Sequence, residues 1–460
     1  MKKNHYSLTK DPIKKLFIDI AIPSSIGTIF QTLYNLVDTF FAGKISAEAL
    51  AALAQTFPVY FIIIALGVGI NIGTTSLIAN SIGEKNYKKA SLFLAQAIFI
   101  AIIVAISVTI IGIAISPYII NSMQTSFGAK LLSLDYLNII FLGCIFFFIQ
   151  ITVNSFLNAK GNTKSYRNVL IFSFFINILL NPIFIFGYGI IPAMGIKGIA
   201  FATITAQFIG MSYIIYIAYL TDLKKYLYIK SFLPKFNLIK DLLIQGIPAS
   251  LGMMMISVGV YIIQNFISIF GDLAFAGYGT AVRYEQIYIL PILGVSTAVL
   301  SIAGQNFGAN YYKRVEEVYD KAIKYGCTIM LFAGIIIYFS AETVLDYFTN
   351  NEDVIKYGTT YLQITALIEP VYPIFFISNA LLQALKNPIY VMFFSMIRMV
   401  ILPIITLWFL ILYLESSFAI VFWGLLIINW MFGIFLFIFT ILFIKKQFSK
   451  LKFKNKLSNL

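Results

Sequence analysis

The chain has 460 residues, of which 60% are hydrophobic and only 11% are charged, with a formal net charge of +14. Soluble domains carry about 25% charged residues, so this composition excludes an ordinary soluble domain and indicates an integral membrane protein. Nucleic-acid binding is not expected either, because the basic residues lie in short loops rather than on a folded domain.

Apolar stretches recur along the whole chain, and each is long enough to cross a hydrocarbon core of about 30 Å as a helix. Their length without alternation excludes a transmembrane β-barrel. Twelve spans are predicted in chain order: residues 16–42, 53–80, 90–116, 133–158, 168–190, 197–220, 240–267, 273–305, 320–340, 355–384, 389–412 and 418–444.

Basic residues alternate between the loops on the two sides of these spans. If the amino terminus is cytoplasmic, 27 of the 33 basic residues lie on the cytoplasmic side, four lie outside and two lie within spans. Cytoplasmic loops are the ones enriched in Lys and Arg. We therefore expect a multi-pass protein of the inner (cytoplasmic) membrane with both termini in the cytoplasm.

The two halves of the sequence repeat at a shift of 225 positions. Three blocks align without a gap: AIPSSIG (21–27) with GIPASLG (246–252), SIGEKNYKK (81–89) with NFGANYYKR (306–314), and NSFLNA (154–159) with NALLQA (379–384). Plain duplication of a helical bundle would explain such a repeat. Duplicated membrane halves more often enclose a central cavity that opens alternately to each side.

Six spans per half is an even number, so both halves enter the membrane in the same direction. The predicted fold is all-α, with twelve transmembrane helices in two six-helix lobes related by a pseudo-two-fold axis along the membrane normal. The lobes are residues 1–221 and 236–460, and residues 222–235 form a basic cytoplasmic linker between them.

Asp38 is the one carboxylate in the apolar stretch TLYNLVDTFFAG (32–43), at the end of the first span. A charged residue at the centre of a spanning helix costs about 2.5–3.5 kcal/mol on insertion scales, so it normally faces a cavity or a partner. Gln31, Tyr34 and Asp38 share one helical face. Alternatively, Asp38 reaches the headgroups from near the outer end of its span.

The fifth span contains INILLNPIFIF, in which Asn177 and Asn181 lie four residues apart on one face. Pro182 has no N–H, so the carbonyl of Ile178 loses its helical donor and this turn offers oxygen ligands that suit a cation. Interhelical hydrogen bonding by the asparagines, with Pro182 as a simple kink, is the alternative. Thr203 lies at a similar depth in the sixth span, so spans one, five and six could share a site.

The second half has different charged residues well inside its spans: Arg283, Glu285, Glu369 and Arg398. One account pairs the two carboxylates with the two arginines as structural ion pairs. The other places Glu285 in a central cavity, where it attracts cations. Under the 225-residue shift Glu285 aligns with Tyr60 rather than with Asp38, so the two halves are chemically unequal.

Enzymatic function lacks sequence support. The chain has no GxxxxGK[ST] phosphate loop and no HExxH, and its single histidine, His5, lies in the polar amino-terminal tail. A membrane-embedded transferase would need a nucleophile or general base such as an intramembrane histidine. We expect a protein that is not an enzyme and that has no cofactor.

The order of the motifs resembles that of the multidrug and toxic compound extrusion (MATE) family. The resemblance covers nearly the whole chain and rests on YNLVDTFFAG in span one, SIGEKNYKKA after span two, NILLNPIFIFGYG in span five, GIAFAT in span six and GTAVRYEQIYILPILGVSTAVLSIAGQNFGANYYKRV through span eight. It implies two six-helix lobes around a V-shaped cavity, and antiport of organic cations against protons or sodium ions.

The resemblance also implies site residues. The coupling-ion site of prokaryotic members matches Asp38, Gln31 and Tyr34 in the first span, Asn177 and Asn181 in the fifth, and Thr203 in the sixth. Some members have Asp where this chain has Asn181, a change that removes a titratable group and makes Na+ at Asp38, Asn177 and Asn181 more attractive than protons. An eighth-helix acid that contributes to drug binding in relatives matches Glu285, whereas no role transfers to Glu369.

These observations favour a transporter that exports amphipathic, mostly cationic drugs. We expect it to act as a monomer in the lipid bilayer. The rival is a flippase-type exporter of a lipid-linked or other endogenous metabolite. A flippase for an anionic pyrophosphate would be expected to line its cavity with Arg and Lys, whereas the spans hold Asp38, Glu285 and Glu369 against Arg283 and Arg398.

Overall fold

The computed structural model describes residues 7–123, 125–221 and 225–458. These residues are almost entirely helical. The only extended pairing among them is an isolated antiparallel bridge between Tyr188 and Ile191.

Six α-helices lie in the described residues of the amino-terminal half. They are α1 (Ile13–Ile45), α2 (Ala47–Gly83), α3 (Tyr87–Ser122), α4 (Phe127–Ala159), α5 (Thr163–Phe186) and α6 (Ile196–Tyr219). The predicted fifth span, residues 168–190, is too long at its carboxyl end. Gly187, with a φ of 82°, ends α5 after Phe186.

In the carboxyl-terminal half, the part of the chain from residue 225 to 458 forms seven α-helices. They are α7 (Phe236–Ile267), α8 (Asp272–Gly308), α9 (Tyr312–Phe348), α10 (Glu352–Thr365), α11 (Tyr372–Ala384), α12 (Pro388–Tyr413) and α13 (Phe418–Ser458). In the described chain, eleven helices are long and apolar enough to span a membrane, and there are twelve spans if α10 and α11, which bend by 40° at a break, count together as one. The predicted all-α membrane fold is confirmed.

Short polar residues set the starts of several helices. A Ser or Asn side chain accepts a hydrogen bond from a backbone N–H of the first turn, which satisfies a donor that the helix itself leaves free. The capping residues are Ser46 for α2, Asn86 for α3, Ser126 for α4, Asn162 for α5 and Asn351 for α10.

The sequence repeat is also a repeat of backbone conformation. Lys85 and Asn310, which are 225 positions apart, both adopt positive φ, at 58° and 62°. The amide of Asn86 donates to the carbonyl of Ser81, and the amide of Tyr311 donates to that of Asn306, each at 2.9 Å. A left-handed residue followed by such a bond is the Schellman ending of a helix, so α2 and α8 end in the same way.

The chain forms two compact units, one of residues 22–250 and one of residues 1–21 with 251–460. Both unit boundaries fall inside helices, in α1 and α7, next to the repeated IP pairs at Pro23 and Pro248. The predicted lobes 1–221 and 236–460 stay a prediction, because residues 222–224 of the proposed linker, Lys224 among them, lie outside the described residues.

In the unit of residues 22–250, α4 packs against α2, α3 and α6. The start of α7 approaches α2 closely through Gly69 and Gly73, a G-x-x-x-G pair of the kind that brings membrane helices together. A Cβ on Gly69 would lie 2.6 Å from the carbonyl oxygen of Gly246, and one on Gly73 would lie 2.9 Å from the amide nitrogen of the same residue.

In the other unit, α8 packs against α9, α10 and α11. Its core includes an aromatic cluster in which the ring of Tyr361 lies 5.0 Å from that of Tyr278 and 4.9 Å from that of Phe422. A π-helical turn at Ile397–Ile401 interrupts α12 and contains the buried Arg398. Such turns widen a helix locally and are frequent at functional sites.

Candidate functional site

The structure brings four of the predicted coupling-ion residues into one hydrogen-bonded group in the unit of residues 22–250. Oδ1 of Asp38 accepts hydrogen bonds from the side-chain amides of Asn177 and Asn181, each at 3.0 Å. Its Oδ2 accepts from the hydroxyl of Thr203, also at 3.0 Å. Asp38 is 7% exposed, so the carboxylate is turned into the protein rather than toward the headgroups.

The two asparagines differ in what their oxygens do. Asn181 donates to Oδ1 of Asn177 at 3.0 Å, so the oxygen of Asn177 already has a partner. Oδ1 of Asn181 is buried and has no hydrogen-bond partner among the described residues. Buried polar atoms are rarely left unpaired. An unpaired amide oxygen next to a carboxylate is a ligand that a hard monovalent cation would use.

Tyr34 and Gln31 occupy the edge of this group. The hydroxyl of Tyr34 donates to the backbone carbonyl of Thr203 at 3.4 Å, which links α1 to α6. Gln31 is half-buried two turns earlier on α1, and the hydrogen bonds of the group that the described residues form do not include it. Its predicted role in ion coupling therefore has no contact to support it in this conformation.

Two tyrosines near Asp38 were not predicted from the sequence. Tyr60 on α2 and Tyr136 on α4 are close enough to Asp38 for its negative charge to act on their hydroxyl groups. The signal for Tyr60 was its alignment with Glu285 under the 225-residue shift, which places a polar group at the same repeat position in each half. Nothing in the sequence distinguished Tyr136 from the other tyrosines of the chain.

Glu285 lies in the other unit, on α8, and is 4% exposed. The hydroxyls of Tyr361 and Tyr372 donate to its two carboxylate oxygens, the second at 3.0 Å. Two hydroxyl donors from α10 and α11 thus fix the orientation of this acid. The sequence did not predict either tyrosine as a partner.

The predicted ion pairs of the second half are not formed. Arg283 is exposed. Arg398 is buried, donates to Oδ1 of Asn429 at 3.0 Å, and stacks its guanidinium 4.3 Å from the ring centroid of Phe375. Neither arginine lies within 4.0 Å of a carboxylate in the described chain. Glu285 is held by tyrosine hydroxyls, and Arg398 by an amide oxygen and an aromatic ring, rather than by oppositely charged side chains.

Glu369 lies at the break between α10 and α11, where it begins a short 3-10 turn. It is completely buried, and neither carboxylate oxygen has a hydrogen-bond partner among the described residues. From the sequence, Glu369 was predicted only as a possible member of a structural charge pair.

The described chain contains no group of three or more His, Cys, Asp or Glu side chains that could hold a metal ion. The Asp38 group instead combines one carboxylate with amide and hydroxyl oxygens. Its single negative charge matches one proton or one monovalent cation.

These features define a polytopic membrane protein with a duplicated set of spans and a buried polar group in each half. The family described as MatE matches residues 23–183 and again residues 248–409, and the two matches start 225 positions apart. The chain belongs to the MatE family. It is therefore a membrane transporter rather than an enzyme.

The chain is similar to several characterised or named relatives along most of its length. The probable multidrug resistance protein YpnP of Bacillus subtilis is 25% identical over 406 residues, which cover 88% of each chain. The FAD transporter of Shewanella oneidensis is 24% identical over 407 residues, 87% of this chain and 88% of the relative. The solved structure of a MOP superfamily transporter from Pyrococcus furiosus has a TM-score of 0.89 at 25% identity, covering 97% of this chain and 99% of that one.

Proposed function

We propose that this protein is an antiporter that exports amphipathic, mostly cationic drugs or toxic compounds by alternating access, driven by sodium ions or protons. The observation that carries the proposal is the buried carboxylate of Asp38, which three side-chain donors hold beside the unpaired oxygen of Asn181. A coupling site needs a group that binds and releases one positive charge, and a buried carboxylate among neutral oxygens is suited to that role. Similarity to a probable multidrug resistance protein supports the substrate class.

Sodium is the coupling ion that the Asp38 group fits better. A site with one carboxylate has one titratable group, and the neighbouring oxygens are neutral amide and hydroxyl ligands. Asp38, Asn177 and Asn181 would supply hard oxygen ligands to Na+. Proton coupling would use Asp38 alone and would leave the unpaired oxygen of Asn181 without a role.

The cellular setting follows from the basic loops. We infer that both termini lie in the cytoplasm, because cytoplasmic loops carry the excess of Lys and Arg. We also propose that the protein is a monomer in the inner membrane. The small-molecule substrate would be bound through Glu285 in the carboxyl-terminal unit, where its two tyrosine partners hold the acid.

Export of an endogenous metabolite is the second candidate, because one relative is an FAD transporter. An anionic substrate of that kind would need cationic groups at its site. The carboxyl-terminal unit instead buries Glu285 and Glu369 with one arginine, Arg398. The balance of buried charge therefore supports a cationic substrate.

The test is transport by the purified protein in proteoliposomes. A sodium gradient and a proton gradient are imposed separately, and efflux of ethidium is compared with efflux of FAD. Ethidium transport under one gradient that exceeds that of protein-free liposomes supports the proposal and identifies the ion. Transport of FAD with none of ethidium would establish the second candidate, and transport of neither under either gradient would overturn both.

A further inference from the structure

The unit of residues 22–250 contains a cleft that the proposed coupling site does not use. Its volume is about 80 Å³, and its walls come from α2, α3 and α7. A single water needs about 10–15 Å³ on this measure, so the cleft has room for a larger group. Most of its wall is apolar and includes Leu66, Ile70, Ile100, Val104, Leu243 and Ile247.

The α7 side of the cleft is accessible from outside the protein. Leu243 and Ile247 line the cleft and are 40% and 53% exposed. Exposed apolar side chains on a spanning helix form a surface for lipid, because lipid tails are as apolar as leucine. An acyl chain of the bilayer can therefore enter the cleft from the side.

One polar atom in the wall of the cleft lacks a partner. Thr74 on α2 is 1% exposed, and its hydroxyl has no hydrogen-bond partner among the described residues. The next residue, Thr75, instead donates to Oδ1 of Asn71 at 3.1 Å and to the carbonyl of Ser155 at 3.2 Å. A buried hydroxyl that lacks a partner is unfavourable. A mostly apolar ligand with one acceptor oxygen would satisfy it.

A basic segment lies beside the end of the cleft that faces the inferred cytoplasmic side. Gln96 on α3 directly precedes Ala97, which lines the cleft. The side-chain amide of Gln96 donates to the carbonyls of Ser231 at 2.8 Å and Leu233 at 2.9 Å. Its oxygen accepts from the amide of Lys235 at 2.8 Å. These three bonds fix the segment before α7 against α3.

Two more lysines lie on helix faces that continue into the cleft. Lys240 precedes Leu243 and Ile247 by three and seven residues, so it shares their face of α7. On α3, Nζ of Lys89 lies 6.0 Å from the ring centroid of Phe93. Phe93 belongs to the same buried cluster as several residues of the cleft.

The charge at this end of the cleft is positive. Residues 84–89 contain three lysines and one glutamate, and residues 229–241 contain three lysines and one aspartate. The ion pair between Lys89 and Glu84, at 3.4 Å, is half-exposed and so contributes little. Basic clusters at the cytoplasmic ends of spans attract anionic headgroups. The same charge repels organic cations, so the cleft suits an anionic lipid rather than the proposed substrates.

We propose that this cleft binds an anionic phospholipid of the surrounding bilayer. One acyl chain lies between α2, α3 and α7, Lys235 and Lys240 bind the phosphate, and the hydroxyl of Thr74 donates to an ester carbonyl. Gly73, next to Thr74, lies against Gly246, which follows Lys240 by six residues, or about 9 Å of helix. A lysine side chain and the glycerol backbone together cover that length. The lipid site is independent of the substrate and coupling ion of the proposed function.

The experiment measures lipid binding to the purified full-length protein in detergent, by native mass spectrometry and by melting temperature. Dioleoyl phosphatidylglycerol is compared with dioleoyl phosphatidylcholine and with glycerol 3-phosphate. A ligand that binds only the folded protein raises its melting temperature. We expect one tightly retained phosphatidylglycerol, with at least about tenfold higher affinity than phosphatidylcholine. Equal affinities for the two lipids, or an equal effect of glycerol 3-phosphate, would overturn the proposal.

A matched pair of variants locates the lipid. Ile244 and Ile247 are both about half exposed on α7, at 51% and 53%, but only Ile247 lines the cleft. We expect Ile247→Trp to fill the cleft and to lower the affinity for phosphatidylglycerol at least about tenfold. Ile244→Trp should bind as the wild type does. Equal affinities in the two variants would place the lipid elsewhere and refute the site.

Two milder substitutions test the headgroup and the hydroxyl. Lys240→Gln should lower the affinity for phosphatidylglycerol about fivefold, whereas Lys445→Gln, at an exposed position on α13, should not. Thr74→Val should raise the melting temperature without lipid and reduce the rise that phosphatidylglycerol causes, because the unpaired hydroxyl is gone. Equal affinities in the two lysine variants would contradict phosphate binding at Lys240. A lower melting temperature of lipid-free Thr74→Val would contradict the role of Thr74.

Discussion

Replacing Asp38 with asparagine would remove the charge of the proposed coupling group and preserve its hydrogen bonds. The amide oxygen can accept from Asn177 and Asn181, and the amide nitrogen can donate to the hydroxyl of Thr203. We expect Asp38→Asn to change the free energy of unfolding by less than about 1 kcal/mol and to abolish gradient-driven efflux. Efflux from proteoliposomes and thermal unfolding in detergent measure the two effects. Wild-type rates of gradient-driven transport would contradict the prediction.

The unpaired oxygen of Asn181 provides a matched test of sodium ligation. Asn181→Ala and Asn177→Ala each remove one donor to Asp38, but only Asn181→Ala removes the free oxygen. If sodium is the coupling ion, we expect the sodium concentration for half-maximal efflux to be about tenfold higher in Asn181→Ala than in Asn177→Ala. A tenfold change corresponds to about 1.4 kcal/mol of binding free energy. Equal shifts in the two variants would show that the unpaired oxygen of Asn181 contributes no more to sodium binding than the paired oxygen of Asn177 does.

At Glu285, the charge and the hydrogen bonds can be separated as well. A glutamine there keeps polar contacts to Tyr361 and Tyr372, so the protein should remain folded. We expect Glu285→Gln to lower the efflux rate of cationic dyes about tenfold. The efflux rate of neutral or zwitterionic compounds should be nearly unchanged. Efflux rates for a matched pair of charged and neutral dyes test this. An equal loss for every substrate would argue against a recognition role.

The candidate sites were predictable only where a residue type was unusual for its surroundings. A carboxylate and two asparagines in apolar spans identified Asp38, Asn177 and Asn181, because polar side chains at membrane depth need partners. The tyrosines around Glu285 could not be identified, since 28 tyrosines are spread over an apolar sequence and any of them suits a membrane helix. Which tyrosine meets which acid depends on helix rotation, and the sequence pattern does not determine that rotation.

At the scale of elements, the contact between α2 and α7 depends on glycine. A Cβ at Gly69 would lie 2.6 Å from the backbone oxygen of Gly246, and backbone atoms cannot rotate away as a side chain can. We expect Gly69→Ala to reduce the free energy of unfolding by about 1–3 kcal/mol, measured as a lower melting temperature in detergent.

Gly43 on α1 is the control for this prediction, because a Cβ there would meet no atom within 4 Å. Gly43→Ala should be neutral or raise stability by up to about 1 kcal/mol, the difference in helix propensity. If both variants melt at the same temperature, close approach at Gly69 does not limit the stability of this unit.

The spans themselves were predictable because hydrophobic length is a direct requirement of the bilayer. The places where the spans end or break were less predictable from the sequence. Gly187 ends α5 earlier than the apolar run suggests, since an apolar residue outside a helix has the same hydropathy as one inside it. The break before Glu369 was not predicted, although Pro370 follows it, because proline is tolerated within other spans of this chain, such as at Pro58 in α2.

At the scale of the whole molecule, the proposed ion and substrate sites lie in different units, with Asp38 in residues 22–250 and Glu285 in residues 251–460. The 225-residue repeat predicted that the two halves share a backbone plan, and the paired left-handed residues Lys85 and Asn310 show it. The repeat could not predict the chemical asymmetry, because equivalent positions carry Asp38 and Ile263 in one case and Tyr60 and Glu285 in the other.

Coupling between the two units must obey reciprocal linkage. If the ion changes the affinity for ethidium by some factor, ethidium changes the affinity for the ion by the same factor, typically about 5- to 150-fold. We expect ethidium dissociation constants, measured by fluorescence polarisation with and without the coupling ion, to differ by such a factor in the wild type. In Asp38→Asn the difference should vanish while ethidium still binds, because the ion no longer distinguishes the two states.

Glu285→Gln supplies the complementary control for this linkage. It should weaken ethidium binding both with and without the ion, so the ratio of the two dissociation constants should persist. Such a result would separate recognition at Glu285 from ion coupling at Asp38. An ion effect on ethidium affinity that survives Asp38→Asn unchanged would show that the coupling ion binds elsewhere in the molecule, because a ligand shifts an equilibrium only through its own difference in affinity for the two states.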